Sequence, residues 1–129
     1  MLKLTFLGTG AACPTVDRNV AALALVREGE TMLFDCGEGT QRQMMRSMPG
    51  LRRLSTILIT HCHQDHVLGL PGLLVSLDAS REEPLAILGP PGLAGLIDVF
   101  RPYFGALSFA LEVGEVDPGG VSQRDGYRL

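Results

Sequence analysis

Every histidine of this sequence falls within six residues, His61-Cys62-His63-Gln64-Asp65-His66. In an extended segment, side chains two apart point the same way, so His61 and His63 can present imidazoles to one ion at a strand end. Where the chain turns, Asp65 and His66 can face a second ion. Imidazole together with carboxylate suits Zn²⁺ or another borderline divalent ion such as Mn²⁺. Paired ions of this kind stand roughly 3.5–4 Å apart, activate water and hold an ester oxygen. Four ligand-type side chains at this spacing are hard to explain as polar caps of a following helix. Cys62 lies between two of them and is expected to point away from their ion as a buried spectator.

The flanking patterns indicate what holds this cluster. Thr56-Ile-Leu-Ile-Thr60 is a β-branched run with the length of a buried strand, and it leads straight into the histidines. Leu2 to Leu7 alternates as a strand that Gly8-Thr-Gly10 stops, and a loop runs on to about Asn19. The runs 20–26 and 31–34, separated by Arg27-Glu-Gly-Glu30, read as a hairpin. Thr40-Gln-Arg-Gln43 has the form of a capping box, and Met44, Met45, Met48 and Leu51 follow at helical spacing as core residues. After the cluster, 71–77 reads as a short helix with Pro71 in its first turn. A strand at 85–88 and Gly89-Pro-Pro-Gly92 come next, and Leu93, Leu96, Ile97 and Phe100 then share one helical face. A further strand is expected at 108–113. Asp125-Gly126 reads as a turn, and Tyr127-Arg-Leu129 as a strand interrupted in mid-pattern, as expected for the front portion of a larger folding unit.

With 129 residues, 46% of them hydrophobic and 19% charged, the chain is one globular domain rather than a disordered or fibrous one. A net charge of −3 excludes a uniformly basic nucleic-acid-coating protein. A local patch remains, because Arg42, Arg46, Arg52 and Arg53 lie between Gly39 and Ser55 with no acid among them. Taken alone it reads as a solvated helix face, and as an alternative it lines one side of an RNA path. Three cysteines, 13, 36 and 62, form no CxxC pair and suit a reducing compartment. No apolar run is long enough to cross a membrane, and a cytoplasmic protein is expected. Gly8-Thr-Gly10 is not a dinucleotide loop, because Cys13 and Pro14 stand where a third glycine and a helix would be needed.

The segment Thr60-His-Cys-His-Gln-Asp-His66 resembles the HxHxDH signature of the metallo-β-lactamase superfamily. Phe6-Leu-Gly-Thr-Gly-Ala-Ala, with Pro14 and Arg18-Asn19, is similar to the N-terminal loop of the ribonuclease Z family, the tRNA 3′-processing endonucleases. Leu33-Phe-Asp-Cys-Gly-Glu-Gly-Thr-Gln41 resembles that family's second segment. The resemblance runs from Leu2 to about Leu93. It implies an α/β fold, the αββα metallo-β-lactamase sandwich, of which residues 1–129 would supply about the first βα half. It further implies two zinc ions in the complete enzyme, one on His61 and His63 and the other on Asp65 and His66, with Asp65 also serving catalysis by orienting or deprotonating water. Asp35 would steer a ligand histidine through its other ring nitrogen, a helix-capping carboxylate being the other reading. Arg18, Arg42 and Arg46 would touch RNA, the partner being precursor tRNA and the complete enzyme a homodimer. Val16 stands where the family usually carries a lysine. The family draws further His and Asp ligands from a second half, whereas no histidine follows His66 here.

Two other readings stay open. A lactone, thioester, β-lactam or sulfate ester hydrolase would use the same metals, and residues 6–19 and 33–41 separate it from the tRNA enzyme. A non-enzymatic half-domain that joins a partner is the third. For the 129-residue chain itself, no hydrolytic activity, weak zinc binding and self-association through uncovered sheet are expected.

Overall fold

The computed structural model describes residues 1–47, 51, 53–124 and 126–129. Six strands form one mixed sheet in chain order: β1 (Leu2–Gly8), β2 (Ala22–Arg27), β3 (Glu30–Phe34), β4 (Leu54–Leu58), β5 (Leu85–Gly89) and β6 (Leu111–Glu115). The first three pair antiparallel and β3 to β6 run parallel. Each parallel step is crossed by helix: α1 (Thr40–Arg46) before β4, α2 (Gln64–Val67) and α3 (Leu70–Asp78) before β5, and α4 (Leu93–Phe104) before β6. A small hairpin, β7 (Gln123–Arg124) with β8 (Tyr127–Arg128), follows.

Strand alternation divides the sheet into two unlike faces. Leu7, Ala24, Leu33, Ile57 and Ile87 point to one side and join Met44, Leu70, Leu73, Leu74, Leu93 and Ile97 from the helices in a single core. Truncating one of these, such as Leu74→Ala, costs on the order of 2–5 kcal/mol. On the other side the registers place Phe6, Leu23, Phe34, Leu58 and Leu88 in one row and Leu4, Leu25 and Met32 in the next. Among the described residues no helix covers that face. This is one sheet with one helical layer, the half-sandwich that the resemblance implies.

Several elements depart from their sequence patterns. The Thr40 box does not form: Gly39, with φ 79, is the N-cap, and the buried Thr40 hydroxyl donates back to the Gly37 carbonyl at 2.7 Å. Met44 is fully buried, but Met45 is exposed, and Met48 lies outside the described residues. β4 ends at Leu58 rather than Thr60 because the Thr60 amide and hydroxyl turn toward Asp35. β6 begins at Leu111 rather than 108, since Ser108 is committed to Asp78 and to the Arg81 carbonyl. Tyr127 lies in β8, which pairs with β7, and its hydroxyl donates to Glu30 at 2.9 Å while Arg27 stacks over its ring. Asp125 lies outside the described residues. Arg81, nearly buried, donates to the carbonyls of Leu54, Glu83 and Pro84, tying the loop before β5 to the start of β4.

Candidate metal centre

The cluster sits where β3 and β4 end side by side. Asp35 follows β3 in the left-handed region, φ 59, a conformation that a short polar side chain tolerates better than most. This turn aims its buried carboxylate across the end of β4. Oδ1 accepts from the Thr60 amide at 2.8 Å, and the Thr60 hydroxyl reaches both carboxylate oxygens at 2.9 Å. Oδ2 also meets His66 Nδ1 at 2.8 Å. Among the described residues Asp35 caps no helix. The backbone behind it is closely packed: a Cβ on Gly37 would stand 2.3 Å from the Asp65 carbonyl oxygen, and one on Gly69 2.2 Å from that of Gly37. Glycine at both positions lets the turn after β3 lie directly under α2.

These contacts fix two imidazole tautomers. Asp35 as a carboxylate only accepts, so the His66 contact is donated by Nδ1–H, and a neutral His66 imidazole then keeps its lone pair on Nε2. The single hydroxyl proton of Thr60 is given to Asp35, so the 3.0 Å contact between Thr60 Oγ1 and His61 Nδ1 is donated by the imidazole. His61 Nε2 is thereby also left with a lone pair. One carboxylate orients two rings, the second through a threonine.

The donor atoms meet in pairs. His61 Nε2 stands 3.2 Å from His63 Nδ1, and His66 Nε2 stands 3.5 Å from Asp65 Oδ2. Two donors held about 2.1 Å from a tetrahedral ion stand about 3.4 Å apart, so each pair has the span of neighbouring ligands on one ion. Among the described residues no three His, Cys, Asp or Glu side chains converge to hold an ion. The donor types and the spacing within each pair fit neighbouring ligands on a divalent ion, with two donors in each pair. Asp65 is further held by the Ala12 amide at 2.8 Å, and this hydrogen bond keeps its carboxyl below the usual aspartate range. Cys62 is exposed, which corrects its expected burial, and its thiol is raised by desolvation and by the Glu115 carboxylate. The deeply buried thiol is Cys36, raised far out of the ordinary range by burial.

Arg18, Arg42 and Arg46 line one pocket of about 540 Å³ together with Thr15, Asp17, Asn19 and Gln43. The loop 11–19 that forms one wall also carries Ala12, which touches Asp65. Arg53 does not join them: its guanidinium lies beside Gly29 in the β2–β3 turn, at the far end of β4 from the histidines. Arg52 lies outside the described residues. The positioning roles of Thr60 and of the Ala12 amide were not apparent from sequence. The threonine at the strand end, directly before the first histidine, was the available signal for one, and nothing local marked the other.

A family model described as anti-Pycsar protein Apyc1 matches residues 2–96. Ribonuclease Z of Methanosarcina acetivorans is 47% identical over 130 residues, covering 98% of this chain and 42% of that protein. Ribonuclease Z of Natronomonas pharaonis is 53% identical over 122 residues, covering 93% and 39%. Among solved structures, human tRNase Z, short form, superimposes with a TM-score of 0.83 at 45% identity, over 92% of this chain and 46% of that one. The metallo-β-lactamase fold protein YhfI of Bacillus subtilis, at 18% identity and a TM-score of 0.75 over 95% and 49%, shares the fold. The chain thus spans less than half the length of the relatives it matches.

Proposed function

Because this chain belongs to the family described as anti-Pycsar protein Apyc1, and is ribonuclease Z-like with the metallo-β-lactamase fold over nearly its whole length, we propose that it carries the first half of the machinery of an endoribonuclease that cleaves precursor tRNA at its 3′ side. His61 and His63 would hold one zinc or other divalent ion, and Asp65 and His66 a second. When bound, such ions supply a hydroxide near neutral pH and stabilise charge on phosphate oxygens. The chain's own residues prepare for this. Asp35 and Thr60 present the Nε2 lone pairs of His66 and His61. Asp65, kept ionised by Ala12, orients the attacking water or takes its proton. Arg18, Arg42 and Arg46 neutralise the phosphates of the RNA beside the cleaved bond. The observation that carries this reading is the paired spacing of the four donors over one orienting carboxylate.

The complete enzyme in this proposal is a cytoplasmic homodimer. The chain by itself, with two donors for each ion, is inactive and binds zinc weakly, since catalytic zinc ordinarily has three protein ligands and a water. A pocket with three guanidiniums favours a polyanionic substrate over an uncharged lactone, thioester or β-lactam. The test is a chimera in which this chain replaces the matching segment of a full-length ribonuclease Z. His63→Ala and Asp65→Ala are expected to abolish its cleavage of precursor tRNA while binding persists. A variant within about tenfold of the parent, only ~1.4 kcal/mol on the barrier, would show that the role assigned to that residue is wrong.

A further inference from the structure

Asp65 does not hold the loop 11–19 alone. Ala12 sits at the centre of a tight turn in which the Cys13 amide donates to the Ala11 carbonyl at 2.7 Å, and its φ of 61 lies in the left-handed region. This is the strained sense of a three-residue turn. Alanine has a Cβ that opposes the conformation and no polar side chain to stabilise it, so the surroundings must impose it. They do so through one end of α2. The Ala12 amide donates to Asp65 Oδ2 at 2.8 Å, and the Ala12 carbonyl accepts from Gln64 Nε2 at 3.2 Å. Since that carbonyl can only accept, the Gln64 side chain must present its NH₂. Two successive side chains of α2 thus grip both backbone polar groups of one strained residue, from 52 and 53 positions away in the sequence.

The loop has two halves with separate fastenings. The half that bears Arg18 is closed on itself: the Thr15 amide donates to the Arg18 carbonyl at 2.8 Å, and the Arg18 amide to the Thr15 hydroxyl at 3.0 Å. It is also tied down at its base, where the Gly10 amide donates to the Asn19 carbonyl at 2.8 Å and Asn19 Nδ2 donates to the Glu38 carbonyl at 2.9 Å. The half beside the metal cluster has no such support. Among the described residues, residues 11–13 are hydrogen-bonded to the rest of the chain only through Gln64 and Asp65.

We infer that Gln64 is a positioning residue for Asp65: it holds Ala12 in its strained turn, so that the Ala12 amide stays aimed at the Asp65 carboxylate. Without the Gln64 amide the turn relaxes, the Ala12 N–H swings away, and Asp65 loses the contact that fixes its rotation, while Arg18 keeps its place. Gln64 acts through Ala12 rather than on the reacting atoms. The inference rests on the proposed role of Asp65 toward the attacking water, and its consequence falls on the rate of cleavage rather than on the hold of the arginines on RNA.

Amide hydrogen exchange of the 129-residue chain, resolved by NMR, tests the grip without metal or substrate. Gln64→Met keeps the length of the side chain and removes its donors, whereas Gln64→Ala removes both. Each should accelerate exchange of the Ala12 amide at least about threefold, as the loss of one neutral hydrogen bond would. Exchange at Ile57 in β4 and at Leu68 should not change, the latter because its amide is bonded to the Gln64 carbonyl at 3.0 Å, which both variants retain. In the ribonuclease Z chimera, single-turnover cleavage of precursor tRNA should slow about tenfold, as for other partners of a metal-ligating group. The half-saturating tRNA concentration should stay within about twofold of the parent, since no uniform binding is lost. A smaller change at Ala12, parent-like exchange in Gln64→Met, equal acceleration at Leu68 or Ile57, or an unchanged cleavage rate would each overturn the inference. An unaltered chimera that fails to cleave counts against the endonuclease reading, and the exchange measurement then still decides whether Gln64 holds Ala12.

Discussion

Asp35→Asn separates a carboxylate that orients imidazoles from one that is simply buried. Asp35 accepts from the Thr60 amide at Oδ1 and from His66 at Oδ2, and the single Thr60 hydroxyl proton is shared between both oxygens, all at 2.8 to 2.9 Å. Asparagine keeps the shape but exchanges one acceptor oxygen for a two-proton donor. If its oxygen stays on the Thr60 amide, its NH₂ faces His66 Nδ1, which must then accept. The His66 proton moves to Nε2 and the lone pair aimed at the ion is lost. Retaining the original tautomer instead sets two N–H groups against each other, leaving an unpaired buried donor at about 1–3 kcal/mol. Either route should weaken zinc about 10–100-fold, which is ~1.4–2.8 kcal/mol. Thr60→Val leaves the contact between Asp35 and His66 intact and should lose less, since only the route to His61 is cut. Competition with a chromophoric chelator near neutral pH measures both, with thermal melts establishing that the variants are folded. Zinc affinity of Asp35→Asn within about threefold of the parent, well inside the span expected for such a partner, would refute the orienting role.

Neutralising Arg42 and Arg46 together should reduce the slope of log affinity for tRNA against log salt by about 1–2, as two phosphate contacts would; an unchanged slope returns both residues to a solvated helix face. A pH series checks Asp78, whose carboxyl is held below the usual range by the amide and hydroxyl of Ser108. The folded value lies below the unfolded one, so the stabilisation is complete above the ordinary aspartate range near ~3.9 and is lost as pH falls through the folded value. The difference in melting temperature between the parent and Asp78→Ala should therefore be constant near neutrality and narrow in acid. A difference that widened in acid would contradict the assigned contact.

The clustering of His61, His63, Asp65 and His66 was legible because it is local. The four donors lie within six residues, and their two-by-two grouping follows from alternation in an extended segment and the turn into α2. Arg42 and Arg46 were legible for the same reason, being one helical turn apart. Arg53 was misleading: sequence adjacency to the cluster of arginines concealed that the whole length of β4 separates it from the histidines. Thr40 failed as a cap because Gly39 could take the left-handed conformation directly before it, leaving the Thr40 hydroxyl free to bond backward. The limits of β4 and β6 shifted because Thr60 and Ser108 spend their backbone or side-chain donors on carboxylates from other elements. Such competition is invisible to a periodicity.

What remained hidden is the order in which the donors are held. Asp65 is pinned by an amide 53 residues away in sequence, and His66 by a carboxylate 31 residues away. His61 is reached through Thr60, one bond further from Asp35. His63 is exposed, and its one side-chain hydrogen bond among the described residues is to His61 itself. Rigidity thus declines along the series Asp65 and His66, then His61, then His63. A donor already oriented sacrifices little freedom on binding an ion, whereas a mobile one must be ordered as the bond forms. On the proposed two-ion reading, the pair Asp65 and His66 is accordingly the better prepared of the two positions, and the first ion to bind should enter there.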